Sequence, residues 1–219
     1  RREAITSPAR DITRREFFGR LVETVLYVEP RVNGVELWGR LVVFVGLSAW
    51  GMHFIFTDWS VESGPTREIG DSFMHTINLV FHEAGHVLFI AFGEFMMILG
   101  GSLFQIIVPG VVMVVFLFRY HNTFGASVGL WWIGQSLMDL APYIGDARAG
   151  ELILLGGHTG RDSDCHDWAN LLSRTGTLEN DRVYAARVDT SGEILVWVAI
   201  VWGAVLLYRQ FKNRDGASE

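Results

Sequence analysis

Phe81-His82-Glu83-Ala84-Gly85-His86-Val87 lies inside an apolar run that reaches from about residue 73 to residue 99. In a helix, residues four apart share a face, so His82 and His86 can direct two imidazole nitrogens at one zinc ion. Glu83 projects beside them, where a general base must stand to take a proton from a zinc-activated water. The pentapeptide His-Glu-Ala-Gly-His therefore reads as a metallohydrolase signature, with His82 and His86 as metal ligands and Glu83 as the catalytic base. Chance produces such a pattern about once in a hundred chains of this length. The setting sharpens the reading, because an ionised side chain at the bilayer centre costs roughly 2.5–3.5 kcal/mol. A helix that only had to span would carry Leu or Val at these positions.

Half of the 219 residues are hydrophobic, with eight Trp and fifteen Phe. That is too apolar for an ordinary soluble domain, and several stretches approach the 20 or so residues a bilayer crossing needs. The expected fold is all-α: a polytopic membrane helix bundle of four to five spans in the lipid bilayer. The net charge of −6 is modest and no basic stripe is interleaved with aromatics, which argues against nucleic acid as a partner. Cys165 is the single cysteine, so no intrachain disulfide forms. No cleavable signal peptide is expected, since the first apolar run begins behind a long charged segment.

Four regions follow from the composition. Residues 1–36 mix Arg with acidic groups, and Ile12, Phe17, Phe18, Leu21, Val22, Val25 and Leu26 fall at near-helical spacing, which predicts an amphipathic helix on the membrane surface over 11–28. Residues 37–147 form the membrane core. Its first span covers 37–56, and a polar 58–71 loop with a Ser63-Gly64-Pro65 turn follows; Asp71-Ser72 can cap the helix that carries the histidines. His75 lies two turns before His82, on the approach to the metal. The core continues through Gly93 and Gly100-Gly101-Ser102, where the backbone can bend or meet another segment closely, to a 103–118 run kinked at Pro109 and a 124–140 run broken at Pro142 and Gly145. Residues 148–192 form a polar extramembrane segment, and 193–219 a last span with a basic tail. Cations at both ends place both termini in the cytoplasm, which requires an even number of crossings against five apolar segments. The layout suits a bacterial-type inner membrane.

Two histidines leave a catalytic zinc one protein ligand short. Among the downstream acids, Asp139 and Asp146 are attached to membrane-depth helices. A competing set, His158, Asp162, Asp164, Cys165, His166 and Asp167, crowds the polar segment with good ligand types; His158, Asp164 and His166 are its metal candidates.

Together with the later stretch Ser136-Leu137-Met138-Asp139-Leu140-Ala141-Pro142-Tyr143-Ile144-Gly145-Asp146-Ala147, the first motif resembles the site-2 protease family of intramembrane zinc metalloproteases. That family carries a second motif, Asn-x-x-Pro followed by a short extended stretch and Asp-Gly. The resemblance implies Asp146 as third zinc ligand, with Asp139 at the Asn position and Pro142 at the Pro position helping to place the substrate backbone. Asp replaces Asn, Ala147 stands where the family has Gly, and the Pro-to-Asp interval is one residue short. The implied function is hydrolysis of peptide bonds in membrane-embedded protein substrates. The alternative is a non-catalytic membrane subunit of the same fold, acting as scaffold or adaptor in a larger membrane complex.

Overall fold

A computed structural model describes residues 14–29, 32–56, 72–162 and 165–215. Asp164, the 58–71 loop up to Asp71 and residues 1–13 lie outside them. Among the described residues the regular elements are helices, with one isolated bridge between Ile153 and Thr159.

Helix α1, Arg14–Val25, leaves Phe18 and Val22 about half exposed, as an amphipathic segment must. Helix α2, Gly34–Phe56, starts where the Asn33 side chain accepts a hydrogen bond from the Glu36 N–H. One face of α2 is open, with Val35 85% and Val42 70% exposed. Arg40 is buried there, and it is compensated by Glu29 and Glu36 at 2.7 and 2.5 Å.

The motif helix α3, Phe73–Phe89, is capped by Ser72, whose hydroxyl accepts from the His75 N–H. A short 3-10 turn over Ile90–Phe92 ends at Gly93, whose φ of +92° reverses the chain into α4, Glu94–Val114. The two helices form an antiparallel hairpin with touching backbones: a Cβ on Gly85 would lie 2.2 Å from the Gly100 carbonyl oxygen. Gly100 and Gly101 are thus interior to a helix and serve close approach, and the chain turns at Gly93. Helix α4 runs through Pro109 and closes in a π-helical turn, Val115–Arg119.

Helix α5, Thr123–Gly145, is the centre of the bundle, capped by Asn122 and buried along most of its length. It packs along α7, Asp181–Asp215, with Gly134 against Gly192. Phe54, Trp131, Met138, Val196 and Ala199 form the principal apolar cluster between them and α2. The expected break at Pro142 does not occur: the helix continues to Gly145, with the proline ring buried among neighbours. Packing on both sides outweighs the roughly 3 kcal/mol that proline costs inside a helix. Residue 192 is likewise no boundary, since α7 begins at Asp181 and spans about 50 Å. Between α5 and α7, a turn-rich loop leads to the short helix α6, Asp167–Thr175.

Among the described residues, three helices are long and apolar enough to cross a membrane: Gly34–Phe56, Glu94–Arg119 and Leu178–Asn213. The expectation of four to five spans counts two further helices: α3, at 17 residues, is at the lower limit of a crossing, and α5 is buried along most of its length, with Ser127, Gln135, Ser136 and Asp139 among its buried residues.

Candidate metal centre

Within α3, His82 is buried, His86 half-buried and Glu83 exposed. The two rings lie 4.8 Å apart between centroids, on the face that α4 covers. Each ring is oriented from behind. His86 Nδ1 is 2.9 Å from the Met97 carbonyl oxygen, to which it donates, and His82 Nδ1 is 3.2 Å from Gln105 Oε1. A ring that donates through Nδ1 keeps the Nε2 lone pair for a metal.

Both Nε2 atoms converge on the Asp167 carboxylate. Oδ2 stands 2.9 Å from His82 Nε2 and 3.2 Å from His86 Nε2. Bonds of 2.0–2.1 Å at tetrahedral angles place neighbouring ligand atoms about 3.3 Å apart; the two Asp167 contacts stand near that spacing, and all three donor atoms lie within 4.8 Å of one another. His82, His86 and Asp167 together can hold a metal ion. The opposite wall supports this: a Cβ on Gly101 would lie 2.6 Å from both Nε2 atoms, so the absence of a side chain keeps the space in front of the imidazoles open.

Helix α6 brings Asp167 to the pair, and several contacts fix α6. Asp167 is its first residue, at the positive end of the helix dipole. Its backbone N–H donates to the Tyr143 hydroxyl at 2.9 Å. The Trp168 indole donates to Ser102 at 3.1 Å, one residue from the Gly101 gap. At the far end, Arg174 grips Glu94 through both guanidinium nitrogens, at 3.2 and 2.5 Å.

Asp146 does not join the histidines. Its two oxygens accept from the backbone N–H groups of Glu151 and Leu152, at 2.9 and 3.0 Å, and His166 Nε2 lies 3.4 Å away. Buried and occupied by backbone donors, it ties the loop leading to α6 onto the end of α5. His166 is the N-cap of α6, with Nδ1 accepting from the Ala169 N–H and its ring stacked on Tyr143 at 4.4 Å. Pro142 is buried in α5 one residue from Tyr143. Asp139 is buried and bonded to His75, Asn78 and Gln105. His158 is exposed on the loop, where its carbonyl accepts from Leu154. Cys165 is exposed and free. Of the polar segment's candidate donors among the described residues, it is Asp167 that reaches the pair.

Glu83 stands at the open edge of the centre, near enough for its charge to act on His86 and Tyr143. The supporting residues Met97, Gly101, Gln105 and Tyr143 carry no motif. Only Gln105, an amide inside an apolar run, marks itself in the sequence. Comparison of the chain with protein-family models, curated proteins and solved structures gives no match.

Proposed function

We propose that this chain is a membrane-embedded zinc metalloprotease, related in its chemistry to the site-2 proteases, that hydrolyses peptide bonds of membrane-embedded substrates. The convergence of His82 Nε2, His86 Nε2 and Asp167 Oδ2 on one point, with Gly101 leaving room before them, carries the reading. Two imidazoles and one carboxylate are a donor set that catalytic zinc uses, with a fourth position left open. When bound, the ion supplies Lewis acidity that polarises a carbonyl and acidifies water.

The protein's own groups account for the rest. His82 and His86 hold the ion through nitrogens whose partners on the opposite side of each ring prevent rotation. Asp167 lowers the net charge of the site and closes it from the α6 side. Glu83, adjacent in sequence to His82 and exposed, takes the proton from the attacking water and returns it to the leaving amine. Three apolar helices support a lipid-embedded setting, in which a membrane segment of another protein is the substrate within reach.

The deciding experiment uses the purified full chain in detergent micelles. About one zinc per chain is expected, retained in Glu83→Gln, while cleavage of a transmembrane reporter is lost. A Glu83→Gln variant that supports the biological role as well as wild type, where deletion of the gene does not, would replace this reading with the scaffold one.

A further inference from the structure

Behind His82 lies a chain of polar side chains that the hydrolytic chemistry does not use. His82 Nδ1 meets Gln105 Oε1 at 3.2 Å; Gln105 Nε2 meets Asp139 Oδ2 at 3.1 Å and the Ser136 carbonyl at 3.4 Å. Asp139 Oδ2 also accepts from Asn78 Nδ2 at 3.0 Å, and Oδ1 faces His75 Nδ1 at 2.8 Å. Asn78, Gln105 and Asp139 are all buried, at 0%, 3% and 7% exposure, so none can exchange these partners for water.

The direction of every bond in this chain is fixed by groups with a single role. The Trp132 indole can only donate, and it donates to Asn78 Oδ1 at 2.9 Å, which turns the Asn78 amide nitrogen toward Asp139. The Ser136 carbonyl can only accept, and a carboxylate at Asp139 offers only lone pairs, so both require the nitrogen of Gln105. The Gln105 oxygen is then left for His82, and an oxygen there demands the proton on Nδ1. With that proton placed, Nε2 carries the lone pair that faces Asp167.

We propose that Asp139 is a positioning residue for the metal centre, acting through the Gln105 amide to hold His82 in the tautomer whose Nε2 is free for the ion. The proposal rests on the metal reading above and assigns α5 a task in it: it carries the group that orients a ligand on α3 through a side chain on α4. Loss of an outer partner of this kind weakens metal binding about 10–100-fold.

The test is zinc affinity of the full chain in detergent, measured by chelator competition, with 15N-histidine spectra to read the tautomer. Asp139→Leu weakens zinc by 10–100-fold and populates the Nε2–H form of His82 in the metal-free protein. Asp139→Asn retains an oxygen for Gln105 and stays near wild type. Gln105→Met, close in volume, weakens zinc by the same factor as Asp139→Leu, and the double variant is no weaker than Gln105→Met alone, because both act along one path. Should Asp139→Leu not fold, Gln105→Met alone decides: unchanged affinity and tautomer overturn the proposal. Additive losses in the double variant overturn it as well. A wild-type chain that binds no zinc, or zinc that His86→Ala does not remove, overturns the metal reading itself and the relay with it; normal zinc binding with an indifferent Gln105 removes the relay alone.

Discussion

At the scale of single residues, the resemblance implies Asp146 as third ligand, whereas it is Asp167 that stands beside the histidine pair and Asp146 that binds the backbone of the loop before α6. Asp167→Asn removes the charge between two imidazoles, and zinc affinity is expected to fall by more than about 100-fold, beyond the range of outer-shell changes. Asp146→Asn keeps the zinc at saturating metal but leaves one of two backbone N–H donors facing an amide N–H, for a loss of about 1–3 kcal/mol in stability. Metal analysis combined with thermal unfolding separates the two variants. The histidine pair is legible from its spacing alone, because a helix dictates which residues share a face. The carboxylate that joins it is not, because Asp167 approaches through a tertiary contact 85 positions away, from a segment offering several chemically equivalent donors. Gln105 illustrates a middle case: its isolation in an apolar run signals a task but does not say which.

At the scale of elements, the α3–α4 hairpin depends on what its glycines lack. Gly101→Ala favours the helix by roughly 1 kcal/mol in propensity, yet its methyl would lie 2.6 Å from both Nε2 atoms. The expected result is a folded chain with normal helical circular dichroism and little or no bound zinc. The Arg174–Glu94 bridge is exposed, where solvent screens it and it adds little to stability. Arg174→Ala should therefore leave the unfolding temperature almost unchanged while a chelator strips zinc faster, since α6 carries the third ligand and is freed at one end. Apolar periodicity marks the helices α1 to α5 and the second half of α7, whereas the polar start of α7 at Asp181 and most element ends leave no such mark. Gly93 turns the chain because it adopts a positive φ, and nothing in the pattern distinguishes it from Gly100 and Gly101, which pack inside a helix. Pro142 is the converse: a residue that breaks isolated helices is carried by the packing around α5.

At the scale of the whole molecule, the centre is stitched from α3, α4, the end of α5 and α6, so metal occupancy and global stability are linked. Zinc at a free concentration of a hundred times its dissociation constant stabilises the folded state by about 2.7 kcal/mol. Chelation should lower the unfolding temperature of wild type and leave His86→Ala unaffected, as followed by a thermal melt in the same detergent. The span count read from the sequence treated each apolar stretch as independent; length and composition pick out three helices, and α5, buried along most of its length by its neighbours, is not among them. The long sequence separation between His82 and Asp167 also has a consequence for biosynthesis. A nascent chain that has made α3 and α4 holds the two imidazoles but not yet the Asp167 carboxylate that stands beside them. Under the proposed function, hydrolytic competence would wait until the ribosome has delivered α6, so fragments released early would be inert toward the translocation machinery and the lipid-embedded proteins around them.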